Sequence, residues 1–260
     1  MATEFCPHTG SRLTSILKDS AMQSPEGVIY VNDTRSLDYG EDYFLSEYKA
    51  QYGKTYLEDE TNLRSMANRR LNRIEKYLKP GAKIFEIGCA TGFFLDEARK
   101  RGYQVSGIEI SPFASEYARD RLKLDVRTEA FSTAETMYDA VFAFYVLEHM
   151  DDQRTAFQTI AKMLNRGGIF GFAIPSSNGP TLRYNPDAWI KTHPTDHFAD
   201  YSPASLQKIF PHYSMKLLDC WPASYHPQRA RGLLRNQWLF RRYANLFCFG
   251  DTMEGVAQKI

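Results

Sequence analysis

Two carboxylates around a glycine-bearing turn carry the first chemical signal in this chain. Glu86-Ile87-Gly88-Cys89-Ala90-Thr91-Gly92 closes a short strand candidate, Lys83 to Ile87, and opens a helix candidate, Phe93 to Arg101. Glycines at a strand-to-helix turn let a ligand approach the backbone closely. The helix N-terminus behind them adds positive potential. The spacing Gly88-x-x-x-Gly92 differs from the G-x-G-x-x-G of a dinucleotide pyrophosphate site. Glu86, just before the turn, would repel a pyrophosphate and suits a ligand with an ammonium group. Glu109 sits near the end of the next strand candidate, Gln104 to Ile110, where a carboxylate can accept hydrogen bonds from two ribose hydroxyls.

The second signal is imidazole. His149 follows Glu148 at the end of an apolar strand candidate, Tyr138 to Tyr145. His193 and His197 lie in Lys191-Thr192-His193-Pro194-Thr195-Asp196-His197-Phe198. Histidine titrates in the range a general base needs near neutral pH; local capping and bracing are the plainer roles. His193-x-x-x-His197 with Asp196 imitates a metal site. Pro194 disfavours the regular helix that would aim both rings at one ion, so no metal is expected. Cys6-Pro7-His8 lacks a second pair at ligand spacing.

Alternating elements must hold these groups. Leu63, Ala67, Leu71, Ile74 and Leu78 form one stripe of an amphipathic helix over Glu60 to Leu78, stopped by Pro80-Gly81. Strand candidates over Lys83 to Ile87, Gln104 to Ile110, Asp125 to Thr128, Tyr138 to Tyr145 and Ile169 to Ile174 alternate with helix candidates over Phe93 to Arg101, Ser111 to Leu122 and Asp152 to Leu164. That order predicts an α/β fold with a doubly wound, mostly parallel sheet and helices on both faces. Residues 1–38 show few periodic cues and read as irregular. Residues 39–80 read as a helical cap, 83–175 as the ligand-binding core, 176–212 as an insert after the fifth strand, and 213–260 as closing strands with a basic helix over Arg229 to Phe247.

The 260 residues hold 32 Lys plus Arg against 31 Asp plus Glu, a formal charge of +1. There is no global field for nucleic acid, which is not an expected partner. The longest apolar run, Ala140 to Leu147, is short of the roughly 20 residues of a membrane span. Four scattered cysteines and no basic-then-apolar leader lead to the expectation of a reducing cytoplasm. Aromatics reach 14% and cluster outside the central region. Tyr39, Tyr43, Tyr48, Tyr52 and Tyr56 recur at helical steps, as a core stripe or as a cover over a ligand. Residues 221–250 contain no Asp or Glu but hold Arg229, Arg231, Arg235, Arg241 and Arg242 among aromatics. That is a solvated basic face, or a surface for an anionic substrate or a membrane.

Lys83 to Leu122 resembles the motif region of class I S-adenosylmethionine-dependent methyltransferases. Tyr138 to His149 resembles their fourth-strand motif, and Gly167-Gly168 with the following strand their fifth. The set is similar to the branch with ubiquinone-biosynthesis O-methyltransferases and many small-molecule methyltransferases. Ala90 stands where that family often has a third glycine. The resemblance implies a Rossmann-like seven-stranded sheet, S-adenosyl-L-methionine as cofactor and S-adenosyl-L-homocysteine as product. By it, Glu86 orients the methionine amino group, and Gly88, Cys89, Ala90 and Gly92 contact the amino-acid moiety. Glu109 holds the ribose, Ile110 lies on the adenine, and Glu129-Ala130 contacts the adenine edge. Phe144 and Tyr145 flank the sulfonium, while Tyr52 and Tyr56 line a closing N-terminal cover.

The implied activity is methyl transfer to a small-molecule acceptor, oxygen favoured, with His149 or His197 as base. The aromatic surplus suggests an apolar or aromatic acceptor. A non-catalytic binding protein of the same fold, and a peripheral membrane enzyme acting on a lipid or quinone, are the alternatives.

Overall fold

Pairing rather than periodicity organises the first residues. The computed structural model describes residues 4–35, 43–131 and 136–260. In it β1 (Thr14–Ile16), β2 (Ala21–Gln23) and β3 (Ile29–Val31) form an antiparallel sheet in that order. This corrects the expectation of an irregular segment over residues 1–38. Strands of three residues are too short to show alternation, so only their partners reveal them. His8 is engaged by two tyrosines. Its Nδ1 lies 2.7 Å from the Tyr213 hydroxyl and its Nε2 2.9 Å from that of Tyr201. Burial pulls its pKa down to about 4, so the ring is neutral and takes one donor and one acceptor role.

From residue 43 the elements alternate. They are α1 (Tyr48–Tyr52), α2 (Glu60–Ile74), β4 (Lys83–Ile87), α3 (Phe93–Lys100), β5 (Gln104–Glu109), α4 (Pro112–Asp120), β6 (Asp125–Thr128) and β7 (Tyr138–Phe144). Then follow α5 (Gln153–Met163), β8 (Leu164–Pro175), α6 (Pro180–Tyr184), α7 (Pro186–Lys191), α8 (Pro203–Ile209), β9 (Met215–Pro222), α9 (Gln237–Phe247) and β10 (Thr252–Lys259). The main sheet runs β6-β5-β4-β7-β8-β10-β9. β4 pairs in parallel with β5 and β7, and β5 with β6, while β9 and β10 are antiparallel. The chain divides into two compact units.

One unit is Leu37–Ala143 with Lys162–Phe170. Its central strand β4 buries Ile84, Phe85, Glu86 and Ile87, and Ala140 to Ala143 of β7 are fully buried. Continuous apolar runs of this kind belong to strands covered on both faces. Phe85 packs on Tyr138 at 4.8 Å and Phe94 on Phe142 at 5.0 Å between ring centroids. α2 buries Ala67, Leu71 and Ile74 of its expected stripe. It is latched to α3 by Arg64, whose Nη1 meets Asp96 and Glu97 at 2.7 Å each and whose guanidinium lies 4.9 Å over Phe93. The chain leaves β4 for β5 and β6 on one side and returns to β7 on the other. The strand order therefore reverses at the carboxyl end of β4, the usual ligand position in such sheets.

The other unit is Met1–Ser36, Phe144–Ala161 and Gly171–Ile260. Its insert holds three short helices, α6, α7 and α8, each with proline in the first turn. The helix expected over Arg229 to Phe247 is shorter, starting only at Gln237. Gly232 at φ +57° interrupts it, and the Asn236 side chain accepts from the amides of Trp238 and Leu239 as the cap of α9. Among the described residues, no helix is long and apolar enough to cross a membrane.

Candidate functional site

The turn after β4 is built by its own backbone. The Cys89 amide donates to the Ile108 carbonyl at 3.0 Å, and the Gly92 amide to the Cys89 carbonyl at 2.8 Å. Gly92 sits at φ +81°, and a Cβ there would meet Leu124 Cδ1 at 2.6 Å. Only glycine fits that position. Gly88 has φ +66° and Ala90 φ +47°. The place where the resemblance leads one to look for glycine is thus a left-handed position held by alanine. A left-handed alanine costs about 1–2 kcal/mol, while glycine loses about 0.5–1 kcal/mol more entropy on folding. Ala90→Gly is therefore expected to stabilise the chain by about 0–1.5 kcal/mol, measured by denaturant titration. A clear loss of stability would contradict the strain.

Glu109 holds this turn from the neighbouring strand. Its Oε2 accepts the Ala90 amide at 2.8 Å and its Oε1 the Ser111 amide at 2.9 Å. Burial nevertheless raises its pKa, against the pull of these amides. Glu86 is more deeply buried. Burial pushes its carboxyl up to about 8; Arg70 works against this and Glu109 adds to it. Glu86 Oε2, Thr91 Oγ1 and Ser111 Oγ are buried with no hydrogen-bond partner. Buried polar atoms are normally satisfied, so three orphans on the turn and its flanks fit a polar ligand with ammonium and hydroxyl groups.

The remaining expected residues of this unit surround the turn in different ways. Cys89 is buried, and its thiol is pushed up by burial first and by Glu86 and Glu109 next. Ile110, 56% exposed, offers an apolar side chain beside Glu109. The Glu129 amide donates to the Glu109 carbonyl at 3.1 Å, its carboxylate pairs with Arg127 at 3.0 Å, and Ala130 is exposed. Tyr56 stacks on Phe93, the residue after Gly92, at 6.2 Å and 8°, and packs on Tyr48 and Phe44 at 5.0 and 5.3 Å. Tyr39 and the side chains of Tyr43 and Tyr52 lie outside the described residues.

In the other unit, Phe144 ends β7 and Tyr145 follows at φ +58°, its amide donating to the Ala173 carbonyl at 2.7 Å. A tyrosine in that conformation is strained, which is common at functional positions. His149 Nδ1 lies 2.9 Å from Asp196 Oδ2. Burial lowers the His149 pKa, but Asp196 and Glu148 outweigh it and the net direction is up. The His197 ring meets that of His149 edge-on at 4.8 Å. Burial, then the charge of His149, pull its pKa down to about 4. His193 pairs with Asp200 at 2.6 Å, and its ring meets that of His197 edge-on at 5.5 Å. Glu148 is buried with Oε2 unpartnered, its carboxyl pushed up to about 7 by burial. One donor atom from each of Glu148, His149 and His197 lies within 4.8 Å of the others, a spacing that could place all three around one cation.

The sequence groups Asp196 with His193 and His197 and gives no sign of its pairing with His149 or of the role of Arg64. Asp196 is 47 residues from His149, and Arg64 reads as a solvent-facing charge of α2. The three tryptophans have separate neighbours. Trp189 packs with Ala21 and Ile29, Trp221 donates to Glu254 at 2.8 Å, and Trp238 is exposed.

A family model described as a methyltransferase domain matches residues 58–218, more than half the chain. A ubiquinone biosynthesis O-methyltransferase of Alkalilimnicola ehrlichii is 29% identical over 119 residues, 42% of this chain and 45% of that protein. The chain thus spans less than half the length of that relative. A protein of the same name from Xanthomonas axonopodis pv. citri is 25% identical over 191 residues, 65% of this chain and 77% of its own. Magnesium protoporphyrin IX methyltransferase from Synechocystis PCC 6803, solved with bound S-adenosylhomocysteine, shares the fold at a TM-score of 0.57 and 15% identity, covering 84% of this chain and 97% of that one. The sheet is accordingly the Rossmann-like one of those methyltransferases, and the chain belongs to the methyltransferase domain family.

Proposed function

We propose that this protein binds S-adenosyl-L-methionine at the Gly88–Gly92 turn and transfers its methyl group in line to an oxygen of a small acceptor. The carrying observation is Glu86, a fully buried carboxyl with an unpartnered oxygen one residue before the strand ends. A buried carboxyl without a partner is costly unless a ligand supplies one. The cofactor, when bound, supplies an electrophilic methyl on a cationic sulfur. In this reading Glu86 orients the ammonium group, and Glu109 accepts the ribose hydroxyls with the lone pairs its two amides leave free. Ile110 covers the adenine, with Glu129 and Ala130 at its edge. Phe144 and Tyr145 offer aromatic faces to the sulfonium. Tyr56 and Tyr52 belong to the cover that excludes water.

His149 is the proposed general base, and Asp196 positions its ring and raises its basicity. The relatives named for O-methylation support oxygen over nitrogen or carbon as the acceptor atom. The aromatic surplus supports an apolar or aromatic acceptor. The four free thiols suit a reducing cytoplasm, the compartment we propose.

A panel of phenols, with release of S-adenosylhomocysteine as readout, tests this. His149→Ala should lower kcat by about 10²–10⁴-fold and leave cofactor affinity unchanged. Because His149 must be neutral to accept a proton, the wild-type rate should rise with pH through a pKa above 6.5. Asp196→Asn removes the charge that raises that pKa, so the acidic limb should move to lower pH. A limb that stays in place would leave Asp196 a structural role only, and full activity in His149→Ala would remove the base.

A further inference from the structure

The helix α9 has two apolar faces, and the fold uses only one. Phe240 and Ala244 pack inward with Ala230 and Phe249 in a small core. On the outer side, Leu233, Trp238, Leu246 and Phe247 are 81%, 61%, 75% and 54% exposed. Trp238, Arg242 and Leu246 are spaced by four, so they form one ridge along the helix. Leu233, Leu239, Tyr243 and Phe247 edge an open groove of about 800 Å³ beside it. Monomeric proteins seldom leave so many large apolar side chains together in water without a use.

The charge around the ridge has one sign. Arg235, Arg241 and Arg242 are exposed, and residues 221–250 contain no Asp or Glu. Arg242 lies 4.8 Å over Trp238 and Arg241 5.0 Å over Tyr225, so their guanidiniums rest on aromatic faces. Arg229, by contrast, is neutralised by Asp251 at 2.8 Å. A second copy of the chain meeting this face across a two-fold axis would bring arginine against arginine. An acidic protein would satisfy the arginines without requiring a tryptophan and leucine ridge. An anionic bilayer satisfies both. Apolar side chains enter the boundary between headgroups and acyl chains, tryptophan favours that depth, and arginines reach lipid phosphates with their stems on the surface.

We propose that the outer face of α9, with the turn at Leu233, docks this protein on an anionic lipid bilayer. The docking is peripheral and independent of methyl transfer. It places the protein where a lipid-soluble acceptor would be met.

The full chain should co-float with phosphatidylglycerol–phosphatidylcholine vesicles at low salt, bind pure phosphatidylcholine much more weakly, and release as salt rises. Binding should shift tryptophan emission to the blue, a shift that Trp238→Phe removes. Arg235→Glu/Arg241→Glu/Arg242→Glu, and separately Trp238→Ala/Leu246→Ser, should each reduce vesicle partitioning at least tenfold. Both should retain the wild-type circular dichroism and melting, since these side chains face solvent. Three outcomes would overturn the proposal. One is no flotation with anionic vesicles at low salt. Another is flotation that both folded variants retain. The third is a solution dimer that Trp238→Ala/Leu246→Ser converts to monomer, which would make the face a contact between copies.

Discussion

Glu109→Ala should weaken binding of S-adenosylhomocysteine at least a hundredfold and destabilise the folded chain by about 2–6 kcal/mol. The two effects have separate causes. Stability falls because the Ala90 and Ser111 amides both lose their acceptor, and each buried unsatisfied donor costs about 1–3 kcal/mol. Affinity falls because hydrogen bonds to a charged acceptor contribute about 1.5–3 kcal/mol each, and two ribose hydroxyls lose theirs. The lost Ala90 acceptor also frees the one left-handed alanine of the turn, which loosens the surface the cofactor would lie on. Calorimetric titration and urea unfolding read the two effects independently. A variant that melts like wild type and binds with unchanged affinity would remove Glu109 from the site. A variant that is destabilised yet binds normally would leave it a purely structural brace of the turn.

The second large effect is on pH. Between pH 6 and 8 the affinity for the cofactor should rise by about tenfold per unit and then level off. Glu86 is fully buried, and burial holds its carboxyl up at about 8, with Arg70 opposing and Glu109 adding. Below that pH the group is neutral before ligand arrives. A cationic ammonium favours its ionised form, so binding must expel the proton. At pH 6 that expulsion costs about 2.7 kcal/mol, at 1.36 kcal/mol per unit, and above pH 8 almost nothing. Titrations at pH 7 in two buffers of different ionisation heat should report close to one proton released per ligand bound. Glu86→Gln should flatten the profile and bind weakly throughout.

The same residue has a stability signature of opposite sign to the usual carboxylate. Its folded pKa lies above its unfolded value, so the folded state binds the proton more tightly. Its favourable contribution is present in acid and is lost as pH rises from about 4.5 to about 8. Glu86→Gln should therefore gain stability relative to wild type at pH 8, while losing affinity. If both chains keep the same pH profile of stability and binding, Glu86 is not the titrating group.

The sequence made the centre of the fold legible for a physical reason. β4 and β6 have the bounds expected from the sequence, and the alternation of elements predicted the doubly wound sheet. Helix ends were legible to within a few residues where proline or glycine marked them. The first three strands were not, because three residues carry no period. The long helix expected over Arg229 to Phe247 failed for a more instructive reason. Asn236 before Gln237 is a cap signal readable from sequence, but the apolar and basic pattern on both sides of it reads as one continuous helix.

Within the candidate sites, residues close in the chain were found and distant partners were missed. Glu86, Gly88, Gly92 and Glu109 follow from local spacing. That Ala90 is left-handed, and that the Glu109 oxygens hold its amide, depends on two strands lying side by side. Asp196 reaches His149 only because the insert folds back, and a charge 47 residues away leaves no local mark. The outer face of α9 was visible as composition, a run of arginines and aromatics without acids. Which side of the helix carried it became clear only once Phe240 and Ala244 were seen to point inward.

Calorimetric titration of the full chain with S-adenosylhomocysteine at pH 8, beside Glu109→Ala, tests the central claim most directly. One site per chain with micromolar affinity, lost in the variant, is the expected result. Absence of binding by the folded wild-type chain at millimolar ligand would contradict the assignment of the Gly88–Gly92 turn as a cofactor site.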